Sequence, residues 1–229
     1  FLQRAYDQII HDVCIQNMPV VFAIDRAGLV GSDGETHQGV FDLSFLSSIP
    51  NMTIMAPKNK WELSDMLKFA VKFDGPIAIR YPRGQAYEGL YENRAVVECG
   101  KSEWIYEEKD IAIFAVGSMV KNAVEVHKQL KEAGYHCSLN NGRFVKPIDQ
   151  EALKKAAENH SLIVTMEENV ASGGYGEKVR EYLDSIKAEC KVLTIAVPDQ
   201  FVEHGSVDQL YKEIGMDAAS VVQRIKECL

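Results

Sequence analysis

Six strand-length apolar runs, at residues 20–24, 53–56, 77–79, 111–116, 162–166 and 192–196, constrain the fold of this chain more than any other feature. A strand that is apolar throughout buries both faces, as strands do in parallel sheets covered by helices. The intervening segments carry helical periodicity. Leu2, Ala5, Tyr6, Ile9, Ile10, Val13 and Cys14 fall on one face of a helix that runs to about Asn17 and is closed by Pro19. Trp61, Leu63, Met66, Leu67, Ala70 and Val71 mark a second helix, broken by Asp74-Gly75-Pro76. Residues 84–108 are polar and rich in Tyr and Glu, and they lose the rhythm; a linker and a short hairpin are expected there. The alternation then restarts, with a further strand at 136–139 and helices at 119–133, 149–159 and 177–187, then near 206–214 and 217–228. The expectation is two consecutive open parallel-sheet α/β domains, 1–95 and 96–229.

The 229 residues are 46% hydrophobic, ample for a sizeable core. A net charge of -8 without a basic patch argues against nucleic acid as a partner. No apolar run approaches a membrane span. Five widely spaced cysteines (Cys14, Cys99, Cys137, Cys190, Cys228) with no Cys-x-x-Cys fit a reduced, cytoplasmic protein. No Cys or His pair has zinc-ligand spacing. The chain opens on Phe1 inside a helical pattern, as expected for part of a longer protein.

In open parallel sheets, ligands bind beyond the carboxyl ends of the strands. The loop after strand 20–24, Asp25 to Gly39, is dense in ionisable residues and contains four glycines through Gly39. Arg26 lies in it, and Arg80 and Arg83 follow strand 77–79. Converging guanidiniums at one sheet edge make a phosphate clamp; structural ion pairs with Asp25, Asp42 or Asp74 are the other reading. Asp33 and His37 are acid–base candidates, or hydrogen-bonded surface residues. Ser32-Asp33-Gly34 and Asn140-Asn141 are too far apart to form one diphosphate–magnesium site. Gly173-Gly174-Tyr175-Gly176 could cradle an anion, but without a dinucleotide fingerprint a tight turn into a helix is expected. Glu167-Glu168-Asn169 reads as structural, at an interface.

Phe1-Leu2-Gln3-Arg4-Ala5-Tyr6-Asp7-Gln8, Asp25-Arg26-Ala27-Gly28, Asp33-Gly34 with Thr36-His37-Gln38-Gly39, Arg80-Tyr81-Pro82-Arg83-Gly84 and Arg143-Phe144-Val145-Lys146-Pro147 together resemble the 1-deoxy-D-xylulose-5-phosphate synthases, transketolase-like enzymes dependent on thiamine diphosphate. The resemblance extends to Val197-Pro198-Asp199 and Gly205. It implies a thiamine-diphosphate pyrimidine-binding domain at 1–95 followed by a transketolase C-terminal domain at 96–229. The diphosphate- and Mg2+-binding part would precede them, together with the glutamate that activates the cofactor.

The implied transferase reaction condenses pyruvate with glyceraldehyde 3-phosphate, with loss of CO2, giving 1-deoxy-D-xylulose 5-phosphate for isoprenoid precursor, thiamine and pyridoxal biosynthesis. By the same resemblance Phe1 stacks on the aminopyrimidine and Arg26 and Arg83 hold the acceptor's phosphate. Arg4 lines the pocket, Asp33 and His37 face the reacting groups, and Arg80 is structural. The implied partners are the N-terminal fragment of the same enzyme and a second copy in a homodimer. Two alternatives are a β-type subunit of a thiamine-dependent 2-oxoacid dehydrogenase and a non-catalytic assembly module.

Overall fold

The computed structural model describes residues 1–229. In chain order the elements are α1 (residues 2–14, opening as a 3-10 turn and closing as π-helix), β1 (Val21–Ile24), α2 (Asp42–Ser47), β2 (Thr53–Met55), α3 (Lys60–Ala70), β3 (Ile77–Arg80), β4 (Glu103–Tyr106) and β5 (Asp110–Ala115). They continue as α4 (Met119–Glu132), β6 (Cys137–Asn141), β7 (Phe144–Lys146), α5 (Gln150–Asn159), β8 (His160–Val170), α6 (Tyr175–Ser185), β9 (Lys191–Val197), α7 (Val207–Glu213) and α8 (Ala218–Cys228).

Two sheets form, ordered β1-β3-β2-β7 and β4-β6-β5-β8-β9. The apolar runs supply the parallel cores: β3 lies between β1 and β2, and β5 lies between β6 and β8 with β9 beyond. Each sheet is completed by one antiparallel edge strand, which makes both sheets mixed. These edge strands depart from expectation. No hairpin forms in the polar stretch: β4 pairs not with its neighbour β5 but with β6. The three residues of β7 leave the second sheet's region of the sequence and pair with β2. A short strand with one basic residue has too little periodicity to be read from sequence. Elsewhere the helices stand close to where the apolar periodicity places them. Asn59 and Asp149 cap α3 and α5 through their side chains.

The core is continuous between the two sheets. Ile24, Leu43, Leu46 and Ile54 pack in one cluster with Phe114, Val145, Ile163 and Val179. A buried ion network also spans the junction. Lys58 Nζ donates to Glu62 at 3.1 Å and to Glu103 at 2.6 Å, and Arg143 Nε donates to Glu62 at 2.7 Å. Asn141, part of the rejected diphosphate motif, donates to Glu62 here. Burial makes this network matter, because unpaired charge is costly where water is excluded.

Candidate active site

The site follows from how β1 ends. Against the expectation of a strand buried on both faces, Ile24 is the one buried position of β1, which lies at the sheet edge, and Asp25 emerges into solvent. Arg26 then takes a left-handed backbone, φ 59°, which a side chain with a Cβ adopts only at a cost. The turn is held by the Ala27 N–H bonded to Tyr81 O at 3.0 Å. The loop closes on itself through Gly28 and Gly39, whose N–H groups donate to each other's carbonyls at 2.8 and 2.7 Å. A side chain at Gly39 would collide with Arg26 O, at 1.9 Å. Arg80 underpins the closure. It is buried, donates to Gly39 O at 2.5 Å and to Glu168 O at 2.7 Å, and faces Asp42 at 3.4 Å. The structural role expected of Arg80 is what the coordinates give it.

A cleft of about 670 Å³ opens at this edge, lined by residues that include Phe1, Arg4, Arg26, Glu35, Thr36 and His37. Phe1 is 60% exposed, so a large apolar ring stands open to the cleft. The His37 ring meets it edge-on, centroids 5.2 Å apart, and the Arg4 guanidinium lies 5.4 Å from its centre. Four of the residues singled out from sequence therefore share one wall. Asp33 and Arg83 are not among the residues that line this cleft; they pair with each other beside the same loop. The Arg83 hydrogen bond holds the Asp33 carboxyl below the usual carboxylate range, and His37 and Arg26 push it the same way. Both arginines of the expected clamp are thus engaged by carboxylates, Arg26 by Asp25 and Arg83 by Asp33. Exposed pairs of this kind contribute only about 0–1 kcal/mol, so an incoming anion can displace them.

Sequence reading missed how far the second sheet reaches into this site. Glu168, at the carboxyl end of the 162–166 run, accepts from Leu29 N–H at 2.7 Å. Gln38 accepts from Val30 N–H and donates to Val202 O and Glu203 O. The rule that ligands gather beyond strand carboxyl ends applies equally to β8, and it was the available signal. The possible anion cradle at residues 173–176 is filled by the chain itself: Glu167 accepts from Tyr175 N–H and Gly176 N–H at 2.7 and 2.8 Å. Burial still pushes the Glu167 carboxyl up, to about 7.

Residues 1–88 match the family model of the transketolase pyrimidine binding domain, and residues 100–221 match that of the transketolase C-terminal domain. The chain belongs to the transketolase family. It is 52% identical over 226 residues to the 1-deoxy-D-xylulose-5-phosphate synthase of Lachnoclostridium phytofermentans, covering 98% of this chain and 36% of that protein. It is 49% identical to the synthase of the same name from Caldanaerobacter subterraneus subsp. tengcongensis, covering 99% and 37%. The chain therefore spans little over a third of the curated relatives it matches. Among solved structures, a split-gene transketolase described as an inactive beta4 tetramer superposes with a TM-score of 0.87 at 29% identity, covering 98% of this chain and 71% of that one. Transketolase from Campylobacter jejuni shares the fold, with a TM-score of 0.77 at 18% identity. No helix of this transketolase-family chain is long and apolar enough to cross a membrane.

Proposed function

We propose that this chain is the pyrimidine-binding and C-terminal part, residues 1–95 and 96–229, of a 1-deoxy-D-xylulose-5-phosphate synthase. The observation that carries the reading is the cleft beside loop 25–39, where an open aromatic platform, a histidine and the exchangeable Arg26–Asp25 pair meet, with the Arg83–Asp33 pair on the same loop but outside the cleft lining. The naming of the relatives at about half identity supports the same substrates, pyruvate and glyceraldehyde 3-phosphate. The five unpaired cysteines support a cytoplasmic setting.

The family's cofactor, thiamine diphosphate, fits this chain at one end only. Phe1 offers a ring face for the aminopyrimidine. By the family resemblance, the Mg2+ and diphosphate ligands are assigned to an N-terminal part of the same enzyme, this chain spanning little over a third of its relatives. When bound, the cofactor would supply the carbanion chemistry for decarboxylating pyruvate, the CO2 being pyruvate's own carboxylate carbon. This chain's residues do the rest. Phe1 would stack on the aminopyrimidine, Arg4 lines the pocket, and Arg26 and Arg83 exchange their aspartates for the acceptor's phosphate. His37 donates or relays a proton at the acceptor's oxygen, and Asp33, kept ionised, orients the hydroxyl. The inactive beta4 tetramer of the split-gene relative supports both inactivity of this part alone and self-association, as a homodimer in the complete enzyme. A 2-oxoacid dehydrogenase has no need of the paired arginines, so that alternative is less well supported.

The deciding experiment is kinetic. In the enzyme completed with its diphosphate part, Arg26→Ala or Arg83→Ala is expected to weaken use of glyceraldehyde 3-phosphate by about 1.5–3 kcal/mol, the value of a hydrogen bond to a charged group. The Michaelis constant for pyruvate should hardly move. Equal losses with an unphosphorylated aldehyde would show that neither arginine reads a phosphate. A second expected outcome concerns residues 1–229 by themselves: titration calorimetry should detect no micromolar, magnesium-dependent binding of thiamine diphosphate, and finding it would overturn the assignment of the metal site to another part.

A further inference from the structure

The C-terminal half of this family member lies across the junction from the cleft, yet its β8 ends directly behind the loop that forms the cleft. Glu168 is 2% exposed. One carboxylate oxygen accepts from Leu29 N–H at 2.7 Å, and the other accepts from the Ser118 hydroxyl at 2.5 Å. The Tyr211 hydroxyl lies beside the same carboxylate. Its backbone carbonyl accepts from Arg80 at 2.7 Å. The fit to the loop is tight. Gly28 has φ 74°, and a Cβ built there would stand 1.9 Å from the Glu168 carboxyl carbon. The loop therefore closes with its backbone pressed on this one side chain, and the only residue that permits the approach is the one present. The contact continues along β8, where Val170 N–H donates to Val40 O at 2.8 Å and Asn169 accepts from Leu43 N–H at 3.1 Å.

We propose that Glu168 is a positioning residue of the site: seated in the C-terminal half, it fixes the backbone at residues 28–29 and so sets where Asp33 and His37 stand. Leu29 leads the loop into the apolar core ahead of the segment that bears Asp33 and His37, and beyond it Val30 N–H bonds Gln38 and Gly31 O accepts from Gly205 N–H at 3.3 Å. Releasing Leu29 N–H removes the first of these anchors and loosens the segment from its near end. Misplacing a reacting group by about 1 Å can cost on the order of a hundredfold in rate. The neighbouring carboxylate is a built-in control. Glu167 is also buried and accepts from two backbone N–H groups where Glu168 accepts from one, but those two belong to α6 and not to the loop.

The inference uses the proposed function only for its kinetic arm, so the first measurement does not depend on activity. Hydrogen–deuterium exchange of residues 1–229 is compared for the parent, Glu168→Ala, Glu168→Asp, Glu168→Gln and Glu167→Gln. The alanine and aspartate variants are expected to speed exchange of amides 28–40 at least tenfold while β5 and the apolar centre of β8 stay protected. The aspartate variant keeps the charge but withdraws the oxygen from Leu29, and it serves if the alanine variant does not fold. Glutamine should restore most of the protection, because its amide oxygen still accepts from Leu29. Glu167→Gln should loosen residues 175–178 and leave the loop untouched.

In the completed enzyme, Glu168→Asp should lower kcat/KM for the aldehyde at least tenfold, with rescue by Glu168→Gln and no effect of Glu167→Gln. Unchanged loop exchange in the alanine and aspartate variants, or equal loosening by Glu167→Gln, would overturn the proposal. A loosened loop in an enzyme whose parent does not condense pyruvate with glyceraldehyde 3-phosphate would sink the synthase reading and leave the role of Glu168 standing.

Discussion

Replacing His37 by alanine is expected to lower turnover of the completed enzyme by about a hundredfold or more, with a melting temperature near the parent's. His37 sits in the loop between Gly34 and Gly39, belongs to none of the apolar core clusters, and is only partly buried. Its ring touches Phe1 edge-on, and Nδ1 shares a 2.9 Å hydrogen bond with the Thr36 hydroxyl. Nε2 is then left to exchange a proton with a substrate oxygen. Deleting the ring removes little packing and all of that chemistry. His37→Gln keeps a hydrogen-bonding group in place but cannot transfer a proton, so binding should survive better than turnover. Steady-state kinetics beside thermal unfolding separates the cases. Near-parental turnover, or instability large enough to explain the lost activity, would move His37 to a structural role.

The largest expected loss of stability lies at the junction of the two sheets. Arg143 is 1% exposed and donates to Glu62 at 2.7 Å, to Ala95 O at 2.8 Å and to Val96 O at 3.0 Å. Arg143→Ala leaves Glu62 and Glu103 with Lys58 as the only cation, a net negative charge in a site closed to water. Removing one partner of a buried ion pair costs about 3–5 kcal/mol, and the denaturant midpoint should fall accordingly. A loss below about 1 kcal/mol would mean that water or a proton reaches the remaining carboxylates.

The same network predicts acid sensitivity. Burial opposes ionisation of Glu103, but bonds from Lys58 and from Ala95 N–H, with Arg143 nearby, outweigh it and hold the carboxyl below its usual range. Its folded pKa is thus the lower one. The stabilisation is complete above the ordinary glutamate value of about 4.3 and is lost as pH falls through the folded value. Glu103→Gln should flatten that part of the stability–pH curve.

Periodicity made the parallel cores legible, because runs such as Ile111 to Val116 leave no polar face and admit few other placements. The helices announced themselves through apolar stripes and Pro/Gly breaks. The antiparallel edge strands did not: β7 is three residues long, and β4 has ordinary neighbours whose pairing is decided across the sheet. Within the site, Arg26 and His37 were legible because charge and glycine coincide beyond one strand, whereas Phe1 and Arg4 came from the family resemblance alone. The pairs of Arg26 with Asp25 and of Arg80 with Asp42 lay within the ion-pair reading of the sequence, but that Arg83 would hold Asp33 could not be read from spacing. Glu168 was visible as a residue but not as a neighbour, since its contact with Leu29 spans 139 positions.

The return of β7 to the first sheet bears on how portable these halves are. Cutting after residue 95 would take away the strand that covers one side of β2. It would also remove the Lys146 ammonium that caps Ser47 O and Ile49 O at 3.0 and 2.5 Å. An open strand edge of that kind invites pairing with other chains. Swapping in a foreign C-terminal half would succeed only if the donor brought its own version of residues 143–146. The two halves should travel between proteins as a matched set, and a chimera joined near residue 95 that ignores this strand should come out as aggregate.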